Sequence, residues 1–288
     1  MSSENTILPI SPEWLNPIFL VPYIYGNETQ AWYWSDDWDP DFYVSLARAG
    51  FISICSDHFD GRMLLLPQMH IESAVLDWRD RRLSRSLFSA IRSGICDRLS
   101  LTLRVTRDPG LALRCLGECW EGESWLHAPY RKVMNQLASR TREYSFSGDS
   151  PSPPLIPVGV ELWSSRCDRP VAGELGYITG SVYTSLSGFM HPDRRAWNNC
   201  GKLQLHALAV LLERSGFSFW NLGQPQMQYK RDLGARVTPR KEFLERWLGA
   251  VGKPVPTAFN RFLETDLELS SLLSPDGCSS LLSADRPL

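Results

Sequence analysis

Residues 158–223 carry the pattern that leaves the fewest folds open. Three apolar-rich runs, "VGVELWSS", "VAGELGYITG" and "SVYTSLSGF", follow one another through short turns, the first being "RCDRP". Consecutive strands joined by short turns pair antiparallel, so the three runs predict a meander. "GKLQLHALAVLLERSGF" (201–217) then reads as a long amphipathic helix stopped by Gly216, and "FSFWNLG" as one more strand. That strand ends abruptly at Asn221-Leu222-Gly223-Gln224, with Gln226 and Gln228 close behind. A surface turn more often combines glycine with Asn, Asp or Ser. A glutamine at this point suggests an amide aimed at a ligand.

The flanking sequence supplies further elements. "DDWDPDFYVSLARAGF" (36–51) has an Asp-rich cap, Pro40 near the first turn, helical spacing of Phe42, Leu46 and Ala49, and Gly50 as a stop. "RMLLLPQMH" and "SAVLDW" read as strands, and "RRLSRSLFSAIRSG" (81–94) as a basic amphipathic helix capped by Ser84. "RLSLTLRVTRD" alternates as a strand; "PGLALRCLGECWE", "SWLHAPYRKVMNQLASRTREY" (124–144, interrupted near Pro129) and "PRKEFLERWLG" read as helices. "SFSGDSPSPPLIP" (145–157) is the clearest loop.

Together these predict an α+β fold. Its main domain, 96–269, has the architecture of a GNAT-like acyltransferase, a mixed sheet flanked by helices. A smaller α+β N-terminal domain, 1–95, precedes it, and the Ser- and Leu-rich tail 270–288 is expected to be disordered. Acetyl-CoA use in such a fold calls for a glycine-rich turn before the long helix, whose N–H groups hold the pyrophosphate. The turn here is "WNNCGK", with Gly201 alone, so ordinary acetyl-CoA chemistry is disfavoured.

Composition excludes several other classes. No apolar run approaches the roughly 20 residues of a membrane helix, and Met1 to Pro9 is no secretory signal, so the expectation is a soluble, cytoplasmic protein with no membrane partner. Cys115 and Cys119 are the close pair among seven cysteines, without a second pair or a suitably spaced His, so no metal site is expected. Net charge is −2, yet Arg79 to Asp108 holds eight Arg against three Asp. That run is either a solvated face or a phosphate-contacting patch. Nucleophile-elbow, P-loop and H-E-x-x-H patterns are missing from the sequence.

Five segments in order resemble the leucyl/phenylalanyl-tRNA–protein transferases, over about Asp36 to Leu248. "DWDPDFYVSLARAGF" looks like that family's early helix. "AVLDWRDRRLSRS" repeats its "AVL", seven-residue spacer and "SRS". "SWLHAP" is similar to its "TWI" segment, and "VAGELGYITGSVYTSLSGF" to its "LVGG…G" hairpin. "GQPQMQYKRDLGARVTPRKEFL" matches a Gln nine residues before the Leu of "LGA", then "PR..(F/Y)L".

The resemblance implies transfer of an amino acid from the 3′ end of an aminoacyl-tRNA to an acceptor amine, on a protein N-terminus or a small molecule, forming an amide bond. The ester is already activated, so no cofactor is called for. Gln224 then becomes the candidate catalytic residue, its amide oxygen accepting from the incoming amine, with Gly223 letting backbone approach the ester; the plain alternative is that Gln224 caps a strand end. Tyr183, Ser187, Glu174 and Asn221 are candidate substrate-binding residues. Trp125 stands where the family's tRNA-end tryptophan does, or in the core. Lys202 matches the Lys of "NASK", or is an ordinary solvated lysine, and Arg81, Arg82, Arg85 and Arg92 are candidates for tRNA phosphates.

Departures accompany these matches. The acidic residue of the family's "GES" turn falls on Leu186, and two apolar pocket positions fall on Glu174 and Asn221. A carboxylate in an apolar pocket is costly unless paired. Glu174 either points away from the pocket, receives a cationic aminoacyl group, or replaces the missing acid. Two further classes stay open: a GNAT-like acyltransferase with a donor other than tRNA, and a tRNA- or peptide-binding module without chemistry.

Overall fold

The computed structural model describes residues 7–57, 60–120, 125–142 and 155–274. The strands used below are β1 (Ile52–Asp57), β2 (Met63–Gln68), β3 (Glu72–Leu76), β4 (Leu101–Thr106), β5 (Ile156–Ser164), β6 (Ala172–Thr179), β7 (Val182–Met190), β8 (Phe219–Gly223), β9 (Arg236–Pro239) and β10 (Asp266–Glu268). The helices are α1 (Pro40–Arg48), α2 (Arg85–Arg92), α3 (Gly110–Cys119), α4 (Ala128–Thr141), α5 (Cys200–Ser215), α6 (Gln228–Leu233) and α7 (Arg240–Val251).

Eight strands form one mixed sheet in the order β9-β3-β8-β7-β6-β5-β4-β10, and β1 and β2 form a separate hairpin. The expected meander is present as β5-β6-β7. Strand β8 lies parallel to β7, the one parallel pair in the sheet among the described residues, because α5 carries the chain back along one face before β8 begins. The large mixed sheet flanked by helices is the α+β architecture that the meander–helix–strand pattern called for.

Strand side chains alternate between two cores, as a period of two requires. Trp220, Tyr183 and Ile178 face α5 with Leu203, Ala207, Leu208 and Leu211. Phe219, Val182 and Tyr177 face the other way, onto α1, α3, α4 and α7 through Phe42, Leu113, Tyr130 and Trp247. Helix ends follow the expected chemistry. Asp39 accepts from the Asp41 and Phe42 N–H groups, and Ser84 from the Leu87 N–H. Gly216, at φ 89°, closes α5 by returning its N–H to Glu213 and Leu212.

Strand β3 lies before residue 95 in the chain, yet it sits between β8 and β9 in the large sheet. The two expected units therefore share a hydrogen-bonded ladder. The expected disorder from Ser270 onward is corrected for its first residues. Leu269–Leu272 is a short helix, and Leu272 and Leu273 are buried in the α5 core. Residues 275–288, and 145–154 of the expected loop, lie outside the described residues.

Candidate functional site

The ladder between β7 and β8 ends at the pair Thr184–Asn221. Strand β7 continues beside β6 to Met190, while β8 runs two residues further and stops. The two parallel strands thus part at their carboxyl ends, the edge at which open sheets commonly bind ligands. Against β3 the register of β8 also shifts between Asn221 and Gly223. Gly223 takes φ 70°, a left-handed conformation open to glycine, and a Cβ there would lie 3.1 Å from Ile52 Cδ1. The Asn221 side chain supports this kink, since its Oδ1 accepts the Gly223 N–H at 3.0 Å.

Gln224 follows the kink and is exposed. Its Nε2 donates to Gln68 Oε1 at 2.7 Å, and the same oxygen lies 2.8 Å from His70 Nε2. With the amide nitrogen held by the β2 strand end, the Gln224 amide oxygen carries no hydrogen bond among the described residues and is available to an incoming donor. Burial, reinforced by the charges of Lys230 and Arg240, pushes the His70 imidazole down to about 3. It is neutral at pH 7, so Nε2 must carry the proton if it donates to Gln68.

A residue absent from the sequence reading completes the strand end. Lys230, on α6, is buried, and its Nζ donates at 2.6 Å to the carbonyls of both Leu222 and Gln224. Burial pushes this ammonium down to about 8, against a smaller upward pull from Glu174. Its signal in the sequence was weak: "QYKRDL" shows no apolar period, and only tertiary packing buries the lysine.

Glu174 lies on the α5 face of the sheet, 3% exposed. Tyr183 Oη and Ser185 Oγ donate to its Oε1 at 2.6 and 2.7 Å, and Gln204 Nε2 approaches Oε2 at 3.5 Å. Trp220 Nε1 in turn donates to Ser185 Oγ at 2.8 Å. Burial raises the carboxyl above its ordinary range, while these donors and Lys230 pull it back. The Tyr183 phenol is raised well above its usual value by burial and by Glu174.

The structure separates several residues that the sequence reading grouped. Ser187 pairs with Leu175, which faces the opposite core from Glu174, because the register of β6 and β7 shifts between Leu175 and Gly176. Ser185, which the sequence reading did not single out, is the serine beside the carboxylate. Leu186, in the irregular stretch, packs at the margin of that opposite core. Asn221 also stands on the face opposite Glu174: its neighbours Trp220 and Leu222 belong to the α5 core, and it meets Thr184 Oγ1 at 3.4 Å. Glu174 and Asn221 therefore do not line one pocket.

Of the nucleic-acid candidates, Arg82, Arg85, Arg92 and Lys202 are exposed. Arg81 is not: its side chain is 8% exposed and pairs with Glu213 at 3.1 Å. Trp125 is half-buried, edge-on to Tyr130 at 4.8 Å, which favours its packing role. A cavity of about 900 Å³ lies elsewhere. It runs along β4, β5 and β10, where Arg104, Glu161, Trp163, Glu264 and Asp266 line it.

No family model matches the sequence, and no curated protein matches it either. Among solved structures the chain is similar to the C-terminal domain of a protein from Agrobacterium fabrum described as a lysylphosphatidylglycerol synthetase. That similarity has a TM-score of 0.37 and 13% identity, and it covers 87% of this chain and 71% of the other. It is too distant to transfer chemistry. No helix among the described residues is long and apolar enough to cross a membrane.

Proposed function

We propose that the protein is an aminoacyl-tRNA-dependent transferase that moves an amino acid from the tRNA 3′ end onto an acceptor amine. What supports this most is one placement: the glutamine that the last of the resembling segments marks out stands exposed where parallel strands β7 and β8 part, its amide nitrogen held by Gln68 and its amide oxygen without a hydrogen bond among the described residues. In this reading the acceptor amine nitrogen attacks the ester carbonyl carbon. A C–N bond forms, the C–O bond to the ribose breaks, and the amine's proton leaves as the ribose oxygen gains one.

Gln224 is a poor base, so its part is orientation. By accepting one amine N–H, the amide oxygen aims the nitrogen lone pair at the ester. Proximity and orientation of this kind are worth up to roughly 7–11 kcal/mol in favourable cases. The main-chain kink at Gly223 packs against Ile52 and His70 and sets the direction in which the following Gln224 leaves the strand. Exposed Arg82, Arg85 and Arg92 on and before α2 supply positive charge for the tRNA backbone. The acceptor is an amine on a protein N-terminus or a small molecule.

The test is transfer of radiolabel from tRNA charged with each amino acid in turn, with peptides, small amines and cell extract as acceptors. Transfer by at least one donor, abolished by RNase and reduced about 10²-fold in Gln224→Ala, is expected. Full activity in that variant refutes the mechanism. Transfer that survives RNase assigns the site to another activated acyl donor, and tight binding of charged tRNA without turnover assigns it to a binding module.

A further inference from the structure

Lys230 raises a question that the amide-transfer reading leaves unanswered. Burying an ammonium is costly unless its donors are met, and a methionine of similar length would fit an apolar setting without that cost. The charge is retained where β8 breaks its ladder. Leu222 and Gln224 flank the left-handed Gly223, and the irregular register there takes β8 out of step with β3. Lys230 Nζ reaches both flanking carbonyls at 2.6 Å, so one ammonium spans the kink from residue 222 to residue 224. Charge-assisted bonds of this length are about twice as strong as neutral ones.

We propose that the Lys230 ammonium is the positioning group of this site, tying the Leu222 and Gln224 carbonyls to one point and thereby fixing where the Gln224 amide projects. The functional half of this inference rests on the reading of Gln224 as the amine-orienting residue; the structural half does not. Lys230 is not a catalytic residue, because it meets backbone already occupied on the protein side. The work of holding Gln224 is divided. Gln68 on β2 takes the side-chain amide, and Lys230 on α6 takes the main chain. The site is therefore assembled from three elements, and the α6 contribution is the one that titrates.

The groups facing Lys230 make its charge state a variable near neutral pH. Glu174 on β6 favours the charged form, but its oxygens are engaged by Tyr183, Ser185 and Gln204. His70, between β2 and β3, is neutral. The Tyr229 ring stands 5.8 Å from Nζ. None of them forms an ion pair with the ammonium among the described residues. Loss of the proton above pH about 8 leaves an amine that still has two N–H groups but lacks charge assistance, and the hold on the kink weakens.

The chain contains five lysines, so a protein labelled with ¹³C-lysine reports each titration by NMR. Lys230→Arg identifies the resonance. The expected result is a Lys230 midpoint near pH 8. If the Lys230 signal titrates near the ordinary lysine value of about 10.4, the ammonium is not held among the carbonyls and the inference falls.

The second measurement is single-turnover transfer from charged tRNA. Lys230→Met is expected to lower the turnover rate about tenfold or more, with charged-tRNA binding unchanged. The ratio of wild-type to Lys230→Arg rates is expected to fall above pH 8, because the guanidinium keeps its charge. A wild-type pH profile that parallels Lys230→Arg overturns the positioning role. Absence of any tRNA-dependent transfer in the wild type defeats the functional reading instead, while the lysine titration still decides the structural half.

Discussion

Arg240 offers the most quantitative test of how the site is supported. It is 2% exposed, and five main-chain carbonyls surround its guanidinium. Nε donates to His70 at 3.0 Å; Nη1 donates to Ile24 at 3.2 Å and to Asn27; Nη2 donates to Gln30 at 2.8 Å and to Met69. No carboxylate forms an ion pair with it among the described residues; the carbonyl dipoles, with longer-range help from Tyr33 and Glu28, offset the buried charge. Replacement by Met deprives five carbonyls of a donor, at about 1 kcal/mol net each. It also removes the desolvation cost of the guanidinium, several kcal/mol in the opposite direction. Replacement by Lys keeps the charge but supplies three donors at most, so two or more carbonyls go unmet and about 2–3 kcal/mol is lost. Urea unfolding reads the total, and amide hydrogen exchange reads its location. The expected signature is a Lys variant destabilised by that amount, with exchange faster at residues 24–30 and 69–70. A Lys variant within 1 kcal/mol of wild type, with unchanged exchange there, refutes the account. Met69 and His70 directly follow Gln68, so the same variant is expected to loosen the partner of Gln224.

Gly223→Ala places a Cβ at φ 70° and 3.1 Å from Ile52 Cδ1, so a loss of about 1–2 kcal/mol in urea unfolding is expected; a neutral or stabilising result contradicts the kink. His70 and His206 are held down to about 3 and about 4, first by burial and then by nearby cations, Lys230 and Arg240 for His70 and Arg81 and Lys202 for His206. Both are therefore neutral when folded, the unfolded chain binds more protons below pH 6.5, and stability falls as pH drops through the window from 6.5 to 3. Each contributes a loss of about 2 kcal/mol at pH 5 relative to pH 7.5, and His206→Gln is expected to abolish its share in calorimetry across that range; an unchanged pH dependence rejects the buried neutral imidazole. If tRNA is the donor, changing Arg82, Arg85 and Arg92 together to Gln is expected to reduce the slope of log affinity against log salt by two to three. Arg81→Gln is expected to leave that slope intact, because Glu213 already neutralises Arg81. Equal effects of the two changes reject the separation.

The parts of the fold that could be read from the sequence are those with strong local rules. The meander, α5 with its Gly216 stop, the Asp39 and Ser84 caps and the strand ending at Gln224 all depend on neighbours within a few residues. The parts that could not are set by distant packing. Helix α6 has six residues, β9 four and β10 three, too short for a period to show. Strand β6 is buried along its whole length, so no polar alternation marks which side of the sheet Glu174 faces. A single register irregularity between Leu175 and Gly176 sets which serine of β7 lies beside the carboxylate, and it is Ser185. Ungapped matching of residues cannot anticipate a bulge. The basic run misled at one position for a similar reason, since Arg81 meets Glu213 of α5, 132 positions later in the chain.

The donors around Glu174 favour a structural role over the substrate-binding one its aligned position implies. A carboxylate reserved for a cationic substrate should keep an oxygen open, yet Oε1 already takes two hydroxyls and Oε2 faces the Gln204 amide. Its partners come from β7 and α5, so the carboxylate ties the sheet to the helix that returns the chain to β8. At the strand end, Asn221 shapes the kink from one face and Lys230 secures the carbonyls on either side of Gly223. On this geometry, replacing Glu174 changes the stability of the β6–α5 contact first and reaches donor choice only through any shift of β8. Charged-tRNA competition in Glu174→Gln is then expected to preserve the order of donors while overall stability changes. A reordering of donors at unchanged stability would instead return Glu174 to the substrate pocket.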